Sequence, residues 1–321
     1  MNLKSILNLF SILILFFSFS YVLPIVVSIV FNDGALKIFI TTLIIIALLG
    51  SLGAFITRGA DSNLSQKDGF VIIVLFWIVL SLAGSIPFYL SGMSGIDSIF
   101  ESMSGITTTG ATVISNIEAL PESLLFYRQL LQWMGGMGLI VLAIAVMPLL
   151  GIGGGQIYKT EIPGAMGEQR LTPRIKETAQ ALWSIYFGLT VVCALLYYIN
   201  GMSIFDAVSH AMSTVAIGGF STHDESIGFF NSFSIELICI TFMLLSAFSF
   251  TLHYFAIYKR KPLKYIYDPE LRFFFSILLL IIVISLLLST FNDVNNSPSS
   301  REILFHSVSM LTTTGFSISS S

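Results

Sequence analysis

Seven stretches of this chain run for roughly twenty residues with almost no charge, and few folds can absorb such a pattern. They are residues 6–31, 36–56, 70–90, 123–150, 179–199, 233–257 and 273–291. A bilayer core about 30 Å thick is crossed by about 20 apolar residues in a helix, whereas strands of a membrane barrel show short segments of alternating polarity. The runs here are unbroken, so each is predicted to be a spanning helix. Charged residues make up only 10% of the 321, against about 25% in soluble domains, which excludes a soluble fold. An apolar content of 55% likewise excludes a disordered chain. The balance of 15 basic and 18 acidic residues, without a long basic run, leaves nothing from which to build a nucleic-acid groove. Cys193 and Cys239 each sit inside an apolar run, where thiols act as small hydrophobes and imply neither disulfide framework nor zinc site.

The first run contains Ser18-Phe19-Ser20, the small-x-small pattern of a signal cleavage site. It nevertheless continues through Phe31, beyond the roughly 7–15 residues of a signal core, and is read as a span. Threading the chain with a cytoplasmic N-terminus places Lys4, Arg58, Lys67, Lys159, Arg170, Arg174, Lys176, Lys259, Arg260, Lys261, Lys264 and Arg272 at one set of helix ends. Lys37, Arg128 and Arg301 fall at the other, a split of 12 to 3. Lys and Arg collect in short cytoplasmic loops, so the larger set marks the cytoplasm. On the outer side, residues 96–113, 204–222 and 303–318 are too apolar for ordinary loops and too short to span, and are expected to be re-entrant. Non-helical backbone at membrane depth is tolerated only where it is buried in protein or lines a watery cavity, so such segments tend to be functional.

Those three segments are copies of one another. A shift of 109 residues lays Asp97-Ser98-Ile99-Phe100-Glu101-Ser102-Met103-Ser104 over Asp206-Ala207-Val208-Ser209-His210-Ala211-Met212-Ser213, and Gly110 over Gly219. A shift of 205 lays the same segment over Glu302-Ile303-Leu304-Phe305-His306-Ser307-Val308-Ser309, and Gly110 over Gly315. The unit is a spanning helix, a half-helix opened by an acid, a turn of small residues ending at glycine and, in the first two copies, a second spanning helix. A half-helix that stops inside the membrane aims its C-terminal carbonyls, about half a negative charge, at the interior, which favours a cation. Glycine takes φ > 0 without steric penalty and lets successive carbonyls of the following turn face one axis. Several such turns can replace an ion's hydration shell.

The turns Thr107-Thr108-Thr109-Gly110-Ala111-Thr112, Ala216-Ile217-Gly218-Gly219-Phe220-Ser221-Thr222-His223-Asp224 and Thr312-Thr313-Thr314-Gly315-Phe316 resemble successive filters of the Trk/Ktr/HKT potassium transporter superfamily, and most nearly its TrkH-type members. Arg128-Gln129, Gln132-Trp133, Gly135-Gly136-Met137-Gly138, Glu161-Ile162-Pro163-Gly164 and Leu171-Thr172-Pro173-Arg174-Ile175 are similar to the same members. The resemblance implies an all-α membrane protein of repeated helix, re-entrant loop and helix units around a pseudo-fourfold pore that passes K⁺ inward. It implies no enzymatic activity and no bound cofactor besides the transported ion. Carried over residue by residue, the K⁺-facing carbonyls belong to Thr108, Thr109, Ile217, Gly218, Thr313 and Thr314, before the filter glycines Gly110, Gly219 and Gly315. Glycine at position 110 goes with K⁺ selectivity in the superfamily, while serine there goes with Na⁺, so a Na⁺-passing or mixed member is the alternative. The resemblance also implies a homodimer in the cell membrane, surrounded by lipid, with a cytosolic nucleotide-binding Trk regulatory subunit docked on the loops 158–178 and 258–272. Topology alone accounts equally for the basic residues of those loops.

The expected organisation is an N-terminal helix pair over residues 1–66, pore repeat 1 over 67–158, repeat 2 over 159–262 and an incomplete repeat 3 over 263–321. The chain ends six residues after Gly315, so repeat 4 and the second helix of repeat 3 are absent from it, and it is expected not to conduct alone. Simpler readings accompany several features. Asp97, Asp206 and Glu302 attract cations or merely stabilise helix starts, and the latter is the ordinary role. Arg128 is expected near the outer interface, paired with Glu122 or Glu118 or with nothing. His210, His253 and His306 near Ser209 raise an intramembrane hydrolase, a weak reading because no base, nucleophile and orienting acid recur together. Gly135, Gly136, Gly138, Gly151, Gly153, Gly154 and Gly155 lack the lysine of a phosphate loop and are expected to let helices pack closely. A purely structural membrane module is the remaining alternative.

Overall fold

The computed structural model describes residues 3–60, 66–149, 175–291 and 298–318, all helix and connecting turns without strands among them. Contacts divide the chain into two compact units, residues 1–161 and 162–321. In the first unit α1 (Leu3–Ser18) passes through one 3₁₀ turn (Phe19–Tyr21) into α2 (Val22–Phe31), forming a single run of 29 residues, and α3 is Leu36–Ile56. These helices pack backbone to backbone: a Cβ on Gly50 would lie 2.8 Å from Leu15 N and 2.9 Å from Ser11 O, and one on Gly53 would overlap Ser11 Oγ. Small residues permit that approach where lipid supplies no hydrophobic drive between helices. Asn8 closes the far end by donating to Thr57 Oγ1 at 2.8 Å.

α4 (Gln66–Leu90) leads into the twelve-residue α5 (Gly95–Ile106), and α6 (Glu122–Leu149) follows. At about 1.5 Å per residue α5 is some 18 Å long, about half a membrane. Tyr127 of α6 joins these helices, donating to Gly84 O at 3.0 Å, with its ring against Tyr21, Phe39 and Phe88. The loop residue Asp33 ties the N-terminal pair to α6, accepting from Ala35 N at 3.0 Å, from Ser123 N at 2.8 Å and from the Ser28 hydroxyl. Burial works to raise the Asp33 carboxyl, but the donors Ser123, Ser28 and Ala35 outweigh it and hold the group below its ordinary value.

In the second unit α7 (Ile175–Ile199) leads into α8 (Ile204–Val215), again twelve residues. The two entry turns are superimposable in their bonding. Gly92 and Gly201 have φ of 104° and 105°, and Met93 N to Phe88 O and Met202 N to Tyr197 O are both 3.2 Å. α9 (Phe233–Ala247) and α10 (Phe250–Ile257) are followed by a short helical turn, α11 (Lys264–Tyr267), then α12 (Pro269–Phe291) and the third twelve-residue half-helix, α13 (Ser300–Leu311).

Five of these runs are long and apolar enough to cross a membrane among the described residues: Leu3–Phe31, Leu36–Ile56, Asp68–Leu90, Gln180–Ile199 and Pro269–Thr290. The span predicted over 233–257 is broken rather than continuous, because α9 and α10 meet at a 95° bend. Phe248 leaves the helix at ψ 149°, and the His253 ring bonds the Leu245 carbonyl at 2.8 Å and the Tyr265 hydroxyl at 2.6 Å. Those partners hold the break in place of the missing helical bonds. Cys193 and Cys239 are fully buried free thiols, as their apolar settings predict.

Candidate ion-coordinating turns

Each half-helix starts with the same chemistry. Ser94, Ser203 and Ser299 are extended and their hydroxyls accept from Asp97 N, Asp206 N and Glu302 N, at 3.2, 3.0 and 3.2 Å. The serine is therefore the cap and the acid sits in the first turn, where the helix's partial positive charge favours it. In the third copy Glu302 also accepts from Ser299 N at 2.7 Å, completing a capping box, and the Ser299 donors hold its carboxyl below the ordinary value. The sequence pattern serine-x-x-acid carried this signal three times, and it was the serine that reading the acids alone missed.

Each half-helix also ends alike. Thr107, Ala216 and Thr312 close the helices, and the next two amides turn back on them. Thr108 N, Ile217 N and Thr313 N bond Gly105 O, Thr214 O and Met310 O at 3.0, 3.1 and 3.0 Å. Thr109 N, Gly218 N and Thr314 N bond Ser104 O, Ser213 O and Ser309 O at 2.9, 2.9 and 2.8 Å. That pair of bonds is a Schellman motif, whose left-handed residue is usually glycine. Here it is Thr108, Ile217 and Thr313, with φ of 56°, 54° and 64°. Two residues on, Gly110, Gly219 and Gly315 are left-handed again, at 78°, 81° and 85°, while the residue between is not. A β-branched side chain at such φ is a genuine outlier costing about 1–3 kcal/mol, and it persists only where surrounding structure imposes it. Three recurrences at one repeat position make it a feature of the design.

The consequence lies in the carbonyls. Among the described residues nothing donates a hydrogen bond to the oxygens of Thr107, Thr108, Thr109 and Gly110, nor to those of Thr312, Thr313, Thr314 and Gly315. Ile217 and Gly219 in the second turn share that condition. A main-chain oxygen is an obligatory acceptor, so these await a partner that is not protein: water or a cation. In the second unit the turns come into contact, because a Cβ on Gly219 would overlap Thr314 O. In the first unit the half-helix end rests on α6, where a Cβ on Gly135 would overlap Ile106 O. Gly138 would meet Phe76 at 3.6 Å, in keeping with a packing role, while Gly151, Gly153, Gly154 and Gly155 lie outside the described residues.

Arg128 is corrected. It is fully buried rather than interfacial, and its Nε donates to Glu101 Oε1 at 2.7 Å. Buried charges require such a partner, and this one lies 27 residues back on α5, out of reach of any local pattern. The hydrolase reading also loses its geometry. Ser209 Oγ has no hydrogen-bond partner among the described residues. His210 bonds Asp206 O at 2.9 Å and Ser221 Oγ at 3.0 Å. The Asp206 carboxylate meets the Thr222 hydroxyl at 2.7 Å and the His223 ring at 3.3 Å, so the imidazole it faces is His223 and not His210 beside Ser209.

The family profile described as TrkH, cation transport protein, matches residues 35–321. The chain belongs to this family. Among its relatives, the Trk system potassium uptake protein TrkH of Halomonas elongata is 50% identical over 324 residues, covering 99% of this chain and 67% of that protein. The protein of the same description from Escherichia coli is 42% identical over 325 residues, covering all of this chain and 67% of its own length. The crystal structure of the potassium transporter TrkH from Vibrio parahaemolyticus superimposes with a TM-score of 0.87 at 44% identity, covering 99% of this chain and 66% of that one. The chain thus spans about two thirds of the length of the TrkH relatives it matches. It is an all-helical, multi-pass membrane protein of a transporter family, as the resemblance implied.

Proposed function

We propose that the chain is a pore-forming part of a Trk-type potassium uptake system. K⁺ sheds its water and is coordinated by main-chain oxygens of Thr108, Thr109 and Gly110, of Ile217, Gly218 and Gly219, and of Thr313, Thr314 and Gly315. The observation that carries this reading is the set of unpaired carbonyls of Thr108, Thr109, Gly110, Ile217, Gly219, Thr313, Thr314 and Gly315 at turns with alternating left-handed φ, each turn following a half-helix whose C-terminal end favours a cation. Residues 67–158, 159–262 and 263–321 are then three pore repeats following a helix pair at 1–66. No reaction is catalysed; the chemistry is dehydration and coordination.

The reading places the protein in the cell membrane with its N-terminus in the cytoplasm, as a homodimer carrying a nucleotide-binding regulatory subunit. The loop between α10 and α12 supports such docking: Lys259, Arg260 and Lys261 are exposed there beside Leu263, Ile266 and Tyr267, each more than 60% exposed. The test is Rb⁺ and K⁺ uptake in cells lacking their own potassium uptake, with Na⁺ flux measured beside it. Potassium-dependent growth supports the reading, and equal Na⁺ and K⁺ flux replaces it with the mixed alternative. Gly110→Ser is expected to raise Na⁺ flux.

A further inference from the structure

The half-helix position four residues after the repeated first-turn acid holds Glu101, His210 and His306 in the three copies, and no role in ion coordination touches it. In every copy this side chain presents an acceptor to the strand that leaves the filter. Glu101 accepts from the Thr112 hydroxyl at 3.0 Å on both carboxylate oxygens and from Val113 N at 3.4 Å. These donors are two and three residues past Gly110. The His210 Nδ1 faces the Asp206 carbonyl, which only a donor N–H can satisfy, so Nε2 is bare and accepts from the Ser221 hydroxyl at 3.0 Å, two residues past Gly219. The His306 Nε2 accepts from Ile318 N at 3.3 Å, three residues past Gly315.

The chemistry of the side chain changes among copies while its task does not. A carboxylate buried at this depth needs a counter-charge, and Arg128 provides it at 2.7 Å with both side chains fully buried. A neutral imidazole needs none. We propose that Glu101, His210 and His306 are positioning residues, each an acceptor clamp that fixes the exit strand of its filter and so holds the left-handed turn in register for K⁺ rather than Na⁺. This deepens the potassium-pore reading and rests on it for its consequence in selectivity. The clamp itself rests only on geometry. With the exit strand pinned, the two left-handed residues of the turn are held from both ends, by the Schellman bonds on one side and the acceptor on the other. Released on one side, the strained turn is free to relax and the spacing of its oxygens loosens, which penalises the ion that needs the larger, better-fixed cage.

The first test leaves the buried ion pair intact. Thr112→Val removes the gripped hydroxyl at constant shape, and Thr112→Ser restores it, both in the full-length protein. The readouts are the K⁺ to Na⁺ uptake ratio and amide hydrogen exchange at Val113 and Ile114. Expected for Thr112→Val is a ratio lowered by about tenfold, corresponding to about 1.4 kcal/mol, with faster exchange and recovery of both in Thr112→Ser. A second variant, Glu101→His with Arg128→Leu, gives the first copy the chemistry of the other two and is expected to keep the ratio, where Glu101→Leu with Arg128→Leu loses it. A Thr112→Val ratio within about twofold of wild type overturns the proposal whatever the exchange shows, as does a loss that serine fails to restore. If the wild type carries no K⁺ at all, the pore reading fails, and unchanged exchange in Thr112→Val then overturns the clamp separately.

Discussion

Replacing Gly219 and Gly315 by alanine, one at a time, separates two costs that a filter glycine avoids. Both residues are left-handed, at φ of 81° and 85°, so the backbone penalty for an L side chain, about 1–2 kcal/mol, is common to the two variants. Their surroundings differ. The Cβ of Gly315→Ala meets nothing within 4 Å among the described residues, whereas that of Gly219→Ala overlaps Thr314 O and stands 3.0 Å from Thr314 C and 3.5 Å from Gly315 C. Because the obstacle is backbone, no rotamer change relieves it and the peptide after Thr314 must move. Overpacking of this kind costs about 1–3 kcal/mol, so Gly219→Ala should be less stable than Gly315→Ala by that amount, a factor of about 5 to 150. Unfolding in detergent micelles measures the difference, and Rb⁺ uptake by potassium-deficient cells measures its effect on the filter. Gly219→Ala is expected to abolish uptake, since it displaces two turns; Gly315→Ala is expected to weaken it. Equal stability and equal uptake in the two variants would refute the packing of Gly219 on Thr314 and the reasoning built on it.

Ser299→Ala should destabilise the third half-helix by about 1 kcal/mol by removing its cap, read from denaturant unfolding. Gly188→Ala, in α7 with nothing within 4 Å of the new methyl, should stabilise by about 0.5–1 kcal/mol. Gly135→Ala should do the opposite by pressing on Ile106 at the first filter, and a thermal melt of the two variants side by side would decide. The Asp33 carboxyl has a folded pKa below its unfolded value of about 3.9, so its contribution is complete above that value and is lost as pH falls through the folded pKa. Asp33→Asn should therefore flatten the acid limb of a stability–pH curve below about pH 4.

Most of the architecture was legible because a bilayer demands length and polarity patterns that survive in sequence, and because three copies of one unit kept their spacing. The register of Gly110, Gly219 and Gly315 carried over intact to three left-handed turns. What sequence hid was pairing across distance. Arg128 looked interfacial because helix α6 begins six residues before it, and nothing local announces Glu101. The bend after Ala247 was invisible because residues 233–257 hold neither proline nor glycine; it depends on His253 reaching back to Leu245 O, a bond that only a folded helix pair can offer. The left-handed Ile217 was equally unreadable, since no propensity places an isoleucine there.

The buried Arg128 also constrains how the protein is made. At a helix centre an unpaired arginine costs about 2.5–3.5 kcal/mol, and Arg128, six residues into α6, faces a smaller cost that is offset by its carboxylate partner on another helix. That partner belongs to a half-helix translated earlier, so release of α4, α5 and α6 into lipid together lets the ion pair form before either charge meets hydrocarbon alone. Biogenesis of the first repeat is then a three-element event at the translocon, and an early stop in translation before Arg128 leaves Glu101 as the stranded charge instead.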